Sequence, residues 1–326
     1  MQMRFSRKTA VLVICLVLAA ACFGLSRFSG AGAAKGKKLS VVCTIFPEYD
    51  WTRAILGKRA ADTDLTLLLA NGTDLHNYQP STNDFLKISR ADLFIFVGGQ
   101  SDAWTKDALK EAANKKIAAI DLMKTLGSRM KNEETVEGME KDHDEGGPSY
   151  DEHVWLSLRN AAAACAAIAD KLCETDPQHA DEYRKNEAAY AARLGALDRE
   201  YAAAVKASPV KTLLFGDRFP FRYLADDYGI RYYAAFPGCS AETEASFRTI
   251  IFLAKKADEL GLRHVMVIDG SNRTVARAII QTARKKDLKI VTLDSMQSVT
   301  AKQIAAGATY LSVMRSNLAT LKEALD

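Results

Sequence analysis

The residues of this chain best suited to chemistry are metal-binding ones. Imidazole nitrogen suits Zn²⁺, and two histidines from separate loops with a carboxylate form a mixed nitrogen and oxygen site for zinc, manganese or iron. The chain has five histidines, and His76, His153 and Asp294 lie in different predicted loops. His76 and Asp294 each follow a predicted strand, and loops at the carboxyl ends of parallel strands face the crevice where α/β proteins hold ligands. This pattern favours a metal site.

Motifs typical of hydrolytic enzymes are absent from the sequence. It contains no H-E-x-x-H, no G-x-S-x-G and no pair of carboxylates at catalytic spacing. A secreted metallo-hydrolase, which needs an open coordination position and a general base, is therefore disfavoured, and we expect no enzyme activity. Cys165 and Cys173 lie eight residues apart on a predicted helix, about 12 Å along its axis and too far for a disulfide.

The elements that must position these residues alternate between short apolar runs and helical stretches. Strands are predicted at 39–46, 65–69, 93–97, 116–121, 211–215, 230–235, 264–268 and 289–293. Helices are predicted between them, and this alternation is typical of parallel sheets covered by helices. We predict an α/β fold of two similar lobes, each with a parallel sheet flanked by helices, joined by one long rigid helix.

The predicted domain boundaries follow from this alternation. A leader and tether covers 1–38, an N-terminal lobe 39–176, a linking helix 177–208, and a C-terminal lobe 209–326. A helix of about 30 residues spans some 45 Å, which is longer than one lobe needs. The acidic stretch 131–150, which contains a Gly-Gly-Pro, is interpreted as a solvated loop.

The leader carries the positive charge of the chain. The protein has 44 Lys and Arg against 40 Asp and Glu, but residues 1–38 hold seven basic residues and no acidic one. The other 288 residues have 37 basic and 40 acidic side chains, a formal charge of −3, so nucleic acid is not an expected partner. A basic start and about a dozen apolar residues indicate an export signal rather than a membrane span. Small residues before Cys22 predict a lipid anchor there, with cleavage near Ala33 as the alternative.

Several segments together resemble the zinc and manganese solute-binding protein family, the extracytoplasmic lipoproteins of ABC importers. Their order and spacing carry the resemblance over nearly all of residues 39–326. The segments are NGTDLHNYQPS at 71–81, Asp92-Leu93 followed by Gly98-Gly99, DEHVWL at 151–156, the stretch 219–229 followed by ETEAS at 242–246, and Leu293-Asp294-Ser295.

The resemblance implies a function and a ligand set. It implies capture of a divalent transition metal between the lobes, zinc foremost and manganese or iron as alternatives, with delivery to a permease and its ATPase. It implies a lipid-anchored or periplasmic bacterial monomer, and His76, His153 and Asp294 as metal ligands. A rigid linking helix predicts small adjustments of the lobes rather than wide hinge closure.

One position departs from the family pattern. The family's third ligand, a His or a Glu, corresponds here to Gly216, which has no side chain. Asp217 is the nearest replacement, and its alternative roles are a helix cap or a pair with Arg218 or Arg222. Further replacements are Cys239 as a thiolate and three carboxylates, which belong to Glu242, Glu244 and Asp269.

Other interpretations stay open from sequence alone. The scaffold could serve as a surface adhesin, and the missing side chain at Gly216 keeps open a binder of a chelated or organic ligand. His143 lies among acidic residues, which favours a solvated loop. His179 and His264 fall outside the motifs and are not expected to bind metal.

Overall fold

A computed structural model describes residues 38–140, 150–240 and 244–326. The predictions about the leader, Cys22, His143 and Glu242 therefore lie outside the described residues. Leu39–Asp326 forms one compact unit. None of the helices in the described ranges is both long enough and apolar enough to cross a membrane.

Eight strands form two separate four-stranded sheets, and every pairing is parallel. The first sheet has the order β2-β1-β3-β4 and the second β6-β5-β7-β8. Their bounds are β1 Ser40–Cys43, β2 Asp64–Leu67, β3 Leu93–Phe96, β4 Ala118–Asp121, β5 Thr212–Phe219, β6 Arg231–Pro237, β7 His264–Ile268 and β8 Lys289–Leu293. Parallel neighbours need crossover connections, and the predicted helices supply them.

The described α-helices cover the two sheets. They are α1 Phe46–Leu56, α2 Thr82–Arg90, α3 Thr105–Lys110, α4 Leu122–Leu126, α5 Leu158–Thr175, α6 Ala180–Ala207, α7 Arg222–Tyr228, α8 Phe247–Glu259, α9 Thr274–Thr282, α10 Ala301–Ala305 and α11 Tyr310–Ala324. Short 3₁₀ turns include Leu75–Asn77, Val154–Leu156 and Pro177–His179. With 28 residues, α6 extends about 42 Å. The predicted fold class is confirmed.

The two sheets share a continuous hydrophobic core. One buried cluster contains residues of both, and a second, smaller one lies wholly in the second lobe. Trp155, 1% exposed, lies between the lobes and donates from Nε1 to the carbonyl oxygen of Ser295 at 2.9 Å. The hydroxyl of Tyr310 donates to the carbonyl of Trp155 at 2.7 Å. Buried contacts of this kind hold the lobes together directly.

Residues 130–140, here called the bridging segment, correct the prediction of a solvated loop over 131–150 for its described part, 131–140. Met139 is only 7% exposed, and Met130 and Val136 pack partly buried against the core. Across to the second lobe, the backbone amide of Lys131 donates to the hydroxyl of Tyr223 at 3.1 Å, and that of Glu140 to the carbonyl of Ala235 at 2.9 Å. The many acidic side chains suggested solvent exposure, but three apolar side chains pack this segment against the core.

Candidate metal centre

His76 is positioned by the short 3₁₀ turn that follows β2. Asp74 begins this turn, and its Oδ1 accepts a hydrogen bond from the backbone amide of His76 at 3.0 Å. The ring Nδ1 of His76 lies 2.8 Å from Ser101 Oγ and 3.7 Å from Glu152 Oε2. With oxygen partners on Nδ1, Nε2 is left for a ligand.

His153 is fully buried and is held by Asp151. Asp151 Oδ1 accepts from the backbone amide of His153 at 2.8 Å and lies 2.9 Å from its ring Nδ1. A carboxylate accepts hydrogen bonds but cannot donate them. Nδ1 therefore carries the ring proton and Nε2 presents a lone pair, which is the arrangement of metal-bound histidines with a carboxylate behind them.

The two Nε2 atoms converge. His76 Nε2 and His153 Nε2 lie 3.0 Å apart, close to the separation of about 3.3 Å that two nitrogens have around a tetrahedral zinc with bonds of about 2.0–2.1 Å. Burial, the neighbouring His153 and the Arg218 guanidinium lower the pKa of His76 to about 3, against the opposing effect of Asp74. At neutral pH the ring is uncharged, which is the form that binds metal.

A double-glycine turn brings Glu152 under this pair. Gly98 and Gly99 have φ of 94° and 79°, a region that favours glycine. A Cβ on Gly99 would lie 2.3 Å from Glu152 Oε1, so only glycine allows the carboxylate this close. Glu152 Oε1 accepts from the backbone amides of Gln100 and Ser101, which fixes the other oxygen near His76.

Two residues of the second lobe that the sequence did not indicate contact the histidine pair or its neighbour Asp74. Arg218 Nη2 lies 2.6 Å from Asp74 Oδ2. Although burial opposes it, this guanidinium, with His76, holds the pKa of Asp74 below its usual range. Gln297 is buried, and its Nε2 lies 3.0 Å from His153 Nε2. Arg218 and Gln297 lie outside the quoted motifs, and we found no signal in the sequence that indicates either role.

Asp217 and Gly216 lie on β5 beside a cavity of about 320 Å³. Asp217 Oδ1 accepts from the next backbone amide, that of Arg218, at 2.9 Å. Its Oδ2 is buried without a hydrogen-bond partner among the described residues. A Cβ on Gly216 would lie 2.6 Å from Ala276 Cα in α9, so no side chain fits there unless that helix moves.

Asp294 and Asp269 organise the loop after β8. Asp294 Oδ1 accepts from the backbone amide of Met296 at 2.8 Å, and Asp269 accepts from the backbone amide of Ser295 at 2.6 Å and from Ser298 Oγ at 2.5 Å. Burial, then the neighbouring Asp269, raises the pKa of Asp294 to about 6. Metal binding by Asp294 stays a prediction.

Ligand atoms of three residues converge in the described part of the chain. The group consists of His76, His153 and Cys239, whose ligand atoms all lie within 4.8 Å of one another. Neither Asp217 nor Asp294 belongs to it. Burial, with nearby carboxylates, raises the pKa of the Cys239 thiol well above its usual value. The sequence offers Cys239 as a replacement for the ligand missing at Gly216, but only after Asp217.

The remaining histidines with described coordinates lie elsewhere. His179 Nδ1 is 2.8 Å from Asp176 Oδ2, and His264 Nε2 is 3.7 Å from Glu323 Oε1. Neither joins the convergent group. Glu244 is exposed and also lies outside it.

The chain thus has two parallel-sheet lobes joined by a long helix, with a histidine pair at the contact between them. The profile of the family described as "ZnuA: Zinc-uptake complex component A periplasmic" matches residues 41–324. The chain belongs to this family.

Similar proteins agree in sequence and in fold. The chain is 30% identical over 298 residues to "Zinc-binding protein AdcA" of Streptococcus pyogenes serotype M3, covering 89% of this chain and 56% of that protein. It is 28% identical over 315 residues to "High-affinity zinc uptake system protein ZnuA" of Bacillus subtilis, covering 97% and 96%. The Zn(II)-bound ZnuA-like domain of Streptococcus pneumoniae AdcA matches with TM-score 0.70 and 27% identity over 89% of this chain and 99% of that one. The chain thus spans little more than half the length of the AdcA relatives.

Proposed function

We propose that this protein is the extracytoplasmic substrate-binding component of an ABC importer for a divalent transition metal, zinc first and manganese or iron as alternatives. One observation carries the proposal: two buried imidazoles from separate loops present Nε2 atoms 3.0 Å apart, with Asp151 holding one ring and Ser101 the other. The zinc-binding names of the relatives support zinc as the cargo.

The proposal also covers the location of the protein and the proteins with which it works. The protein is exported and held at the membrane through a lipid on Cys22, which puts the binding cleft near a permease. It acts as a monomer that releases its ion to the permease, and the permease is driven by an ATPase. The proposed role is binding rather than catalysis, since the described residues of the site offer ligands and supports for an ion.

The proposed ligands are the two histidines and two carboxylates. His76 and His153 form the centre. Asp294 is proposed as the carboxylate ligand that the family pattern implies, and Asp217 as a further oxygen donor, since Asp217 Oδ2 is buried without a described partner. Oxygen ligands in addition to the imidazoles would make the site harder, which is what would admit manganese or iron.

Metal loading tests this function directly. Purified protein stripped with a chelator should take up one equivalent of zinc, and its melting temperature should rise because the ion binds only the folded state. At a thousandfold excess over the dissociation constant the stabilisation is about 4 kcal/mol. His76→Ala and His153→Ala should remove most of the shift, while His179→Ala, outside the site, should keep it. The proposal fails if zinc, manganese and iron(II) all leave the wild-type melting temperature unchanged.

A further inference from the structure

The histidine pair alone does not complete a zinc site. Zinc in proteins is commonly held by four ligands, or by three and a water, and the pair supplies two. The position at which the family pattern expects a third ligand is Gly216, and a Cβ there would meet Ala276 backbone atoms of α9 at 2.6–2.8 Å. Position 216 therefore supplies no donor, and neither Asp217 nor Asp294 converges with the histidine pair in this structure. This inference rests on the proposed function.

Cys239 lies where that donor is needed. It follows β6 in the second lobe, and its Sγ is within 4.8 Å of the ligand nitrogens of both His76 and His153. Around a tetrahedral zinc, with bonds of about 2.3 Å to sulfur and 2.0–2.1 Å to nitrogen, a thiolate and an imidazole nitrogen lie about 3.6 Å apart. To surround one ion, the thiol needs only a small inward shift and the two imidazoles a slight separation.

The backbone of this loop is held against the histidine pair. A Cβ on Gly238 would lie 3.2 Å from His153 Cε1 and Nδ1 and 2.9 Å from the carbonyl oxygen of Phe219, so glycine lets the loop approach the ring. The backbone amide of Cys239 donates to Glu133 Oε1 of the bridging segment at 3.0 Å. Arg218 Nη1 donates to the carbonyl oxygen of Ser240 at 3.2 Å. The loop is thus fixed on both sides of the thiol.

Cys239 differs from the other described cysteines, because it alone is only partly buried. The four cysteines with described coordinates are all free of disulfides, and the three others, Cys43, Cys165 and Cys173, are buried in the first lobe. The nearby Asp74 carboxylate is already paired with Arg218 at 2.6 Å. A dication between two neutral imidazoles gains most from an anionic ligand, and a thiolate supplies one.

We propose that Cys239 is a ligand of the ion beside His76 and His153, so that a thiolate in the centre favours zinc over manganese. The thiol loses its proton to solvent when the sulfur–metal bond forms, and no electron is transferred. Thiolate sulfur favours zinc, whereas manganese prefers carboxylate, carbonyl and water oxygen. Sulfur in place of the family's imidazole or carboxylate would therefore reduce the range of metal ions that the site binds.

Cobalt substitution tests this ligand. The wild-type protein loaded with Co²⁺ should show a thiolate-to-cobalt charge-transfer absorption in the near ultraviolet. Cys239→Ser should lack that band and bind zinc at least about tenfold more weakly, a loss no smaller than that from removing an outer-shell partner, while manganese affinity changes less. The matched control Cys173→Ser should keep the band and the zinc affinity. Equal melting temperatures of the metal-free proteins check the fold.

A second measurement uses the wild-type protein alone. Zinc should protect Cys239 from alkylation by iodoacetamide, as read from the modified peptide by mass spectrometry. Cobalt binding without the charge-transfer band, or alkylation of Cys239 in the metal-free protein that zinc does not slow, would overturn the thiolate ligand and leave the proposed transport function standing. Failure of the wild-type protein to bind zinc or cobalt at all would instead overturn the proposed function, and this inference with it.

Discussion

Three buried carboxylates lie in or near the candidate metal centre, and they differ in their hydrogen-bond partners. Asp151 is hydrogen-bonded to His153, and Glu152 accepts two backbone amides. Asp102, which follows the double-glycine turn, accepts a hydrogen bond from the backbone amide of Gly98 at 3.1 Å, while its Oδ1 is buried without a partner among the described residues. Such a group is costly to ionise, because burial removes hydration that its backbone hydrogen bonds do not replace.

The pH dependence of stability should show this cost. Burial, with the neighbouring Glu152 and Asp121 carboxylates, raises the pKa of Asp102 to about 7, against about 3.9 in the unfolded chain. Between these values the folded state holds the extra proton, so Asp102 lowers stability as pH rises from about 4 to 7, by on the order of 4 kcal/mol at most. Denaturant unfolding of metal-free Asp102→Asn should therefore show a gain over wild type that grows from pH 4 to 7.

The exposed Asp107 on α3 provides the control. Asp107→Asn should run parallel to wild type across the same pH range, since an exposed carboxyl keeps nearly the same hydration in both states. A difference between Asp102→Asn and wild type that stays constant from pH 4 to 8 would show that Asp102 is ionised in the folded protein throughout.

At the scale of elements, the close contact between β5 and α9 leaves no room for a ligand side chain at position 216. Gly216→Ala should destabilise the protein by about 1–3 kcal/mol or more, because the added Cβ meets the backbone of Ala276 and the helix must move. Gly216→His should likewise lose stability and should not raise zinc affinity. Urea unfolding and zinc titration by competition with a chelator measure both effects.

Gly195 gives the matched glycine control. It lies within α6, and a Cβ there would have only Arg199 Nη1 nearby, at 3.7 Å. Gly195→Ala should stabilise the protein by roughly 0.5–1 kcal/mol through helix propensity. If Gly216→Ala were as well tolerated as this change, the close packing of β5 on α9 would not be what excludes a side chain.

Most elements were predictable because their signals are local. The bounds predicted for β7 and β8, 264–268 and 289–293, are those observed, since short apolar runs with turn residues on both sides specify strands within a few residues. Near the bridging segment the same reasoning failed. Its many acidic residues indicated solvent, while Met130, Val136 and Met139 were too widely spaced to suggest packing against another lobe.

The candidate site was predictable only in part. His76 and His153 stand in motifs that point to them, and the structure brings them together. The identity of a third donor depends on packing between distant elements. Helix α9 packs closely on Gly216, and the 238–240 loop packs closely on His153. No spacing within the sequence reports such approaches. Arg218 and Gln297 escaped prediction for the same reason.

At the scale of the whole molecule, direct contacts between the lobes limit their motion. Trp155 donates to Ser295, and Tyr223 donates from its hydroxyl to the carbonyl oxygen of Asp151 at 2.8 Å. Opening the cleft widely would expose these buried groups and the shared core. Small rearrangements of loops are cheaper, because they leave that core packed.

Solution scattering tests this rigidity. The radius of gyration of the chelator-stripped protein and of the zinc-loaded protein should agree to within about 1 Å, as in binding proteins whose backbone moves little. Both samples need the same concentration series, so that association does not mimic a change of shape. Compaction by several ångströms on loading would mean that the lobes swing about the long helix.

The wide sequence separation of the site's parts has a consequence for folding. His76 and His153 lie 77 residues apart, Gln297 is 144 residues from His153, and the Trp155–Ser295 contact spans 140. Contacts of this range form late, after the entropy of closing large loops has been overcome. A chain still unfolded has no such centre, so under the proposed function zinc would enter only after both halves have folded, and acquisition of the ion would report that folding is complete.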